Sequence, residues 1–579
     1  MPQYRDDFEL GVYDEEAFHR LGNPDPEPDA PLPLLDNANT TQPRWLQNTP
    51  TTLRTRFHRF DRIVRRKMEN VRPRWMSERR AYSAAEVFTP QLTVGYVLLS
   101  TFFIYVLYCY IVGSPLLASK LPKYTGMHQV GTIDLEVAVQ EPREINPAVL
   151  KDGKPAFKLD TVLFSLYFPT EKDVKSTRPK HKWFPKPISL IAEGYSTAAH
   201  FNNFFGRRLF TFALWGLASS IHIPAKVDVP LLGHSKEGGD EDLQQYSVVI
   251  FSHGDVSSRT DYTAYCGELA SRGVVVAAIE HRDGSCPGSI VHLPNGKTKN
   301  VRLFRSDQLE QQKELDEEAV NEDWRFQKLE FRDAEIRETI SVLQRLHAGE
   351  GEEIFKANYR EEGKYLGDWK DRLDFSHLAI AGHSFGATGA LQALKTANKT
   401  ILNEEKDINP AIGGIIFDPG KSSGRLNTNI DVPLMIVHSD SWSKAHTIFY
   451  GRPHFDTVRD IAREVLKRVG ATWFMTSMKT SHPSITDASL IEPLLLSWTT
   501  GATINVKEGL REYVRVSMKF LQYIKEGKRK GVLDIGVTHE QYGNDTRTDE
   551  QKSRMGKGIT KYWEVHVAPP AGFAADDMN

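Results

Sequence analysis

Residues 378–394 read LAIAGHSFGATGALQAL. An apolar run, Leu378–Ala381, leads into Gly382-His383-Ser384-Phe385-Gly386, and a stretch rich in Ala and Leu follows. This is G-x-S-x-G between a strand and a helix, the setting of a nucleophile elbow. The turn has to be tight, so small residues flank the serine on both sides. The Ser384 hydroxyl is then held out at the top of a sheet, and the helix N-terminus below it favours developing negative charge. G-x-S-x-G alone is common by chance. The strand before it and the helix after it make Ser384 the candidate nucleophile.

The flanking sequence repeats the same rhythm. Continuous apolar runs occur at 247–251 (SVVIF), 274–279 (VVVAAI), 412–417 (IGGIIF), 433–437 (PLMIV) and 472–475 (TWFM). Runs of this kind suit strands buried on both faces of a parallel sheet. Helical spacing lies between them, as in Leu329, Ile336, Ile340 and Leu343. Alternating β and α predicts an open α/β sheet, mostly parallel, with helices on both faces. Two earlier segments, with Ile133, Leu135, Val137, Val139 and with Val162, Phe164, Leu166, Phe168, alternate apolar and other residues and predict strands with one solvated face. The acidic segment 287–324 interrupts the rhythm and reads either as a lid or as a solvated insertion.

A serine hydroxyl is a weak nucleophile and needs a base, which in turn needs an orienting acid. In this fold both follow the serine in the chain, near the carboxyl ends of later strands. Asp418 ends IGGIIF and Asp440 follows PLMIVHS, so both are candidate acids. His446, His454 and His482 are candidate bases. His482 hangs in the loop after TWFM, where a base must lie to reach the serine, whereas His446 and His454 precede a helix and read as surface residues. The strand SVVIF ends in Ser252-His253-Gly254-Asp255. Its glycine lets the chain turn backbone N–H groups toward the nucleophile, so Asp255 and Phe385 are the expected oxyanion donors, with the Asp255 side chain incidental. No metal-ligand spacing occurs, and neither a metal nor a cofactor is expected.

SVVIFSHGDVSSRTDYTAYCGELASRGVVVAAIEHRDGS, WRFQKLEFRDAEI and AIAGHSFGATGAL, in this order, resemble the plasma-type and type II platelet-activating-factor acetylhydrolases. The resemblance runs from about Phe157 to Ile491, and the chain reads as a fungal-like, membrane-anchored member. It implies an α/β-hydrolase fold with Ser384 as nucleophile, His482 as base, Asp418 rather than Asp440 as acid, and Asp255 and Phe385 as oxyanion donors. The implied activity is metal-independent hydrolysis of a short acyl group, such as acetyl, at the sn-2 position of a glycerophospholipid. A carboxylesterase or acyltransferase acting on another lipid or small ester is the alternative, and a silent hydrolase fold serving as a tethered binding protein is a third reading. Two departures bear on acyl and head-group preference: Ala387 stands where the family usually has glycine, and Asp255 where it has a small apolar residue.

The N-terminal part has a different character. Residues 1–51, rich in Pro, Asp, Glu and Asn, are expected to be a disordered tail. Leu34-Leu35 beside acidic residues reads as a sorting signal or a chance pair. Over 52–91 the spacing of Phe57, Phe60, Val64, Met68, Val71 and Trp75, with basic residues opposite, predicts an amphipathic helix suited to an anionic membrane surface, ended or kinked at Pro73. No charged residue lies between Glu86 and Lys120. A transmembrane helix over 92–114 is expected, since its apolar part can cross a core of ~30 Å. The basic residues precede it. The positive-inside rule then puts the N-terminus in the cytosol and the catalytic domain, 125–525, on the lumenal or extracellular side. Residues 526–579 are expected to be a polar, loosely ordered tail.

Net charge is −2, which gives no reason to expect nucleic-acid binding by the whole chain. Partners are therefore a phospholipid substrate and a membrane. The three cysteines lack C-x-x-C spacing; Cys266 and Cys286 read either as a pair or as two buried thiols. Asn398-Lys-Thr400 and Asn544-Asp-Thr546 are potential glycosylation sites.

Overall fold

The structure is a computed structural model of the 579-residue chain, and it describes residues 90–116, 118–233, 244–310, 317–395, 409–493, 499–549, 552 and 556–570. The expected tail, its Leu34-Leu35 pair, the amphipathic segment and Asn398 lie outside the described residues. The chain divides into two units, Asp14–Tyr108 and Cys109–Asn579 together with Met1–Tyr13.

The described part of the first unit belongs to helix α1, Pro90–Val112. It is apolar on every side, with Tyr96, Leu99, Phe103, Ile104 and Tyr108 exposed. Its 23 residues reach roughly 35 Å at 1.5 Å each, enough for a bilayer core. It is the one described helix long and apolar enough to cross a membrane.

The second unit is built on a ten-stranded sheet in the order β14-β13-β10-β9-β8-β4-β5-β2-β1-β3. The strands are β1 (Gln129–Glu144), β2 (Lys158–Thr170), β3 (Lys226–Val227), β4 (Tyr246–Ser252), β5 (Val274–Ile279), β8 (Leu373–His383), β9 (Gly413–Phe417), β10 (Leu434–Ser439), β13 (Thr472–Ser477) and β14 (Trp563–Val567). Hairpins β6 (Gly288–His292) with β7 (Thr298–Arg302) and β11 (Ile448–Phe449) with β12 (Arg452–Pro453) stand apart. From β5 through β13 every neighbouring pair is parallel, while β2 runs antiparallel to both β1 and β5. One antiparallel strand at position two and a parallel run after it define the α/β-hydrolase fold.

The period of two explains the two-sided core. Val248, Ile250, Ile380, Ile416, Ile436 and Phe474 pack on one face with α5 (Glu317–His347), α6 (Phe385–Ala393) and α7 (His454–Val469). Val249, Phe251, Ala381, Phe417, Val437 and Trp473 pack on the other with α4 (Thr263–Ala270) and α8 (Val506–Glu526). Helices α2 (Ile188–Ala198) and α3 (Phe204–Ala218) form a pair between β2 and β3. Asn203 caps α3 by accepting from Gly206 N–H at 2.9 Å. This helix turns its large side chains outward: Phe204, Phe205, Leu209, Phe212 and Trp215 are each more than half exposed.

Two expectations are corrected. Strands β1 and β2 are buried on both faces, because their polar positions enter ion pairs rather than water. Glu136 is held by Arg282 at 2.6 Å, His292 at 2.7 Å and Arg360 at 2.8 Å, and Asp134 by Arg259 at 2.7 Å. The tail beyond 526 is not loose throughout. Leu533 is buried, and β14 closes the sheet antiparallel to β13 with Trp563, Val565 and Val567 in the core. Over its described residues the segment after 287 forms the β6–β7 hairpin, whose tip at 294–298 is exposed, while Leu303, Phe304 and Leu309 are buried. All three cysteines are free thiols.

Trp473 fills the centre of the α8 face, and its Nε1 donates to Leu533 O at 2.9 Å. Trp473→Ala is therefore expected to lower stability by about 3–5 kcal/mol, read from the denaturation midpoint of the detergent-solubilised protein.

Candidate active site

The carboxyl ends of β4, β8, β9, β10 and β13 meet at one edge of the sheet, and the candidate residues leave from them. Ser384 sits between β8 and α6 with φ 56° and ψ −125°. A non-glycine residue in that region is strained, by about 1–3 kcal/mol, and persists only where its surroundings fix it. They do so sterically. A Cβ on Gly382 would stand 2.2 Å from Gly386 O, and one on Gly386 would stand 2.1 Å from Ser252 O. The elbow can therefore seat against β4 only with glycine at both places. Ser384 N–H donates to Phe417 O at 3.0 Å, which ties the elbow to the end of β9.

Asp418 follows directly, also at positive φ (46°). Its Oδ1 accepts from Ser439 N–H at 2.6 Å; its Oδ2 accepts from Ser439 Oγ at 2.7 Å and lies 2.9 Å from His482 Nδ1. His482 N–H donates to Ser441 Oγ at 3.2 Å. The imidazole stacks on Trp442 with centroids 4.0 Å apart at 12°, and its other neighbour is the ring of His383 at 4.4 Å. Trp442 is itself fixed by Nε1–H to Pro419 O at 3.1 Å. Asp418, His482 and Ser384 are all buried. With Nδ1 turned to a carboxylate, Nε2 is the imidazole nitrogen left for proton exchange.

The other candidates lie elsewhere. Asp440 accepts from Tyr542 Oη and from Lys479 N–H, the latter at 2.7 Å, so it ties loops together. His446 is exposed. His454 is not the surface residue expected. It is buried under Trp442 and Phe449 and stacked near His438, and burial pushes its pKa down to about 3.

Gly254 approaches Ser384 closely: a Cβ on it would stand 3.1 Å from Ser384 Cβ. Its N–H donates to Tyr262 Oη at 3.2 Å, and Val256 N–H donates to Ser285 O at 2.9 Å. Between them Asp255 N–H has no acceptor among the described residues, nor has Phe385 N–H at the first turn of α6. Tyr262 Oη also lies 2.9 Å from His383 Nδ1, so one hydroxyl links the loop after β4 to the elbow.

A buried polar layer supports this loop, and no motif arithmetic disclosed it. Arg332 on α5 donates to His253 O at 2.6 Å, to Ser285 Oγ at 2.6 Å and to Asp283 at 2.7 Å. His281 bridges Ser252 Oγ and Glu335, each at 2.7 Å, and its N–H donates to His253 Nε2 at 3.0 Å. Burial, then the charge of Arg332, holds His253 at about 3 and His281 well below the usual imidazole range, so both are neutral. Asp283 stays ionised despite burial, because Arg332 and Lys328 hold it at about 2. The signal for this layer was present in EHRD and FRDAE, whose charged residues recur on apolar segments. The role of Trp442 and Ser439 was missed because HSDSWS reads as a hydrated loop.

His383, Asp418 and His482 offer ligand atoms within 4.8 Å of one another, the one such group among the described residues. Both Asp418 oxygens already serve Ser439 and His482, so this arrangement fits an acid–base pair better than a metal centre.

Fold and site together define a protein of the α/β-hydrolase class with a serine elbow. The sequence profile of the family described as "Platelet-activating factor acetylhydrolase, isoform II" matches residues 116–532, more than half of the chain, and the chain belongs to that family. It is 27% identical over 298 residues to a Schizosaccharomyces pombe protein named "Putative phospholipase A2", covering 49% of this chain and 61% of that one. It is 26% identical over 332 residues to the platelet-activating factor acetylhydrolase of Cavia porcellus, covering 57% and 62%. The chain thus spans about three-fifths of the length of these relatives. A ferulic acid esterase from Streptomyces cinnamoneus is similar in structure at 16% identity and TM-score 0.41, covering 72% of this chain and 95% of the other.

The two acids are expected to separate in an ester-hydrolysis assay. Asp418→Asn should lose activity by up to about 10⁴, since an unoriented imidazole is a poor base. Asp440→Asn should lose less than about tenfold, or ~1.4 kcal/mol in the barrier.

Proposed function

We propose that the protein is a membrane-anchored serine esterase that hydrolyses the sn-2 ester of glycerophospholipids with a short acyl group, as a platelet-activating-factor acetylhydrolase does. The observation that carries this reading is the His482–Asp418 contact of 2.9 Å, next to a serine held at φ 56°.

In the proposed reaction Ser384 Oγ attacks the ester carbonyl carbon while His482 Nε2 takes its proton. Asp418 holds the ring in the tautomer that leaves Nε2 free and stabilises the imidazolium. The negative charge that forms on the carbonyl oxygen is received by the N–H groups of Asp255 and Phe385, and the N-terminus of α6 adds its dipole. His482 then protonates the departing alcohol, the lysophospholipid. Water, deprotonated by the same histidine, attacks the acyl-enzyme and releases the short acid. No step calls for a metal.

Two features support a lipid substrate over a small soluble ester. The outward aromatic face of α3, with Arg207 and Arg208 among its residues, suits a bilayer interface better than water. It follows α2, whose last residue Ala198 packs with Val256, the neighbour of Asp255. Helix α1 supports a single-pass anchor. The basic residues between Arg54 and Arg80 support a cytosolic N-terminus, with the hydrolase unit on the lumenal or extracellular side.

Ser384→Ala is expected to abolish hydrolysis by several orders of magnitude while the fold is kept, and a fluorophosphonate probe should label the wild type at Ser384. Near-wild-type activity in that variant would end the reading. Chelators should leave activity unchanged; inactivation reversed by calcium would contradict the triad. With phosphatidylcholines of graded sn-2 length, rates should fall as the chain lengthens. In sealed microsomes added protease should spare the hydrolase unit, and the exposed Asn544 should accept glycan. Digestion of that unit would reverse the topology.

A further inference from the structure

Asp255 stands where a carboxylate should oppose the reaction. Its backbone N–H is one of the two donors proposed above to receive the developing oxyanion. Its own side chain carries a charge of the same sign as that oxyanion. Like charges on adjacent groups repel, and the 38% exposure of this side chain screens that repulsion only in part.

The structure places a cation against it. Lys328 lies on α5 with its side chain only 4% exposed, and its Nζ is 3.5 Å from Asp255 Oδ1. Two aromatic faces complete its surroundings, Trp324 at 4.1 Å and Phe385 at 4.4 Å to the ring centroid. Phe385 supplies the other proposed donor, so this ammonium touches both residues of the oxyanion pair. The neighbouring cation on the helix cannot take its place. Arg332, one turn on, is committed to Asp283, Ser285 and the carbonyl of His253. Lys328 also helps to keep Asp283 ionised, but Asp283 is bonded to Arg332 at 2.7 Å, and Asp255 is the carboxylate within ion-pair distance of Lys328 among the described residues.

We propose that Lys328 is a positioning residue of the oxyanion site. Its ammonium offsets the Asp255 carboxylate, so that Asp255 can present its N–H to negative charge on the substrate. The proposal rests on the reading of Ser384, His482 and Asp418 as the catalytic triad. It assigns to the Asp255–Lys328 pair a joint function that neither residue has alone. The sign of their coupling follows. Removing the cation leaves an uncompensated acid beside the oxyanion, and removing the acid as well takes the penalty away.

The test is a double-mutant cycle on the full chain in detergent, with a water-soluble p-nitrophenyl ester so that binding to an interface plays no part. Lys328→Met should lower kcat by about 100-fold with KM within about threefold, because the loss falls on the transition state. Lys328→Gln should do the same without opening a cavity, and Lys328→Arg should keep kcat within about fivefold. Asp255→Leu added to Lys328→Met should restore kcat to within about tenfold of wild type. An ordinary structural ion pair would show the same rescue but would lower stability too, so the denaturation midpoint is read alongside and should stay near wild type in Lys328→Met while kcat falls. The proposal is overturned if Lys328→Met and Lys328→Gln both turn over at the wild-type rate. It is also overturned if the double variant is no better than Lys328→Met. Ser384→Ala, assayed alongside, separates the two levels. A fully active Ser384→Ala removes the triad reading itself. An inactive Ser384→Ala without rescue by Asp255→Leu removes only the role given to Lys328.

Discussion

Everything at the candidate site depends on how closely the turn after β8 approaches the end of β4. Gly386 lies against Ser252 O so tightly that even a methyl group would collide. That contact fixes the start of α6, and with it the strained backbone of Ser384. It also brings Gly254 against the serine, so one approach sets both Ser384 and the loop after β4. The strain at Ser384 is held by the packing of two buried strands, both of which lie at the centre of the sheet.

Around this contact the support is polar and layered. On one side Arg332 and His281 hold the loop after β4 through carbonyl and hydroxyl groups. On the other, Ser439 holds both oxygens of Asp418, and Trp442 holds the plane of His482. The imidazoles of His253, His281 and His383 are pushed down by burial, so they act as neutral hydrogen-bonding spacers.

The parallel strands were legible because runs such as VVVAAI are buried on both faces, and few other structures suit them. The same physics misled for β1 and β2. Their Asp134 and Glu136 break the apolar pattern as solvated residues would, yet they are buried by pairing with arginines distant in sequence. Pairings of that kind leave no local trace. Ser384, Asp418 and His482 could be chosen because each stands at a strand end, and the structure does bring Asp418 to His482 and the end of β9 to Ser384. Lys328 could not be chosen that way. It lies within a long helix and gains meaning only through Asp255, 73 positions earlier. Strand β14 was hidden likewise, because five residues in a polar segment carry too little periodicity to be read.

That last strand affects how the molecule behaves among its own copies. A parallel sheet ending at β13 would expose a row of unpaired backbone groups flanked by Trp473, Phe474 and Met475, a template for another chain. Five residues laid antiparallel cover that row, and at the far side the two residues of β3 leave only a stub. Under the anchoring proposed above, copies of this chain gathered on a membrane meet far more often than in free solution. For such a population, blunt sheet edges keep crowding from turning into aggregation.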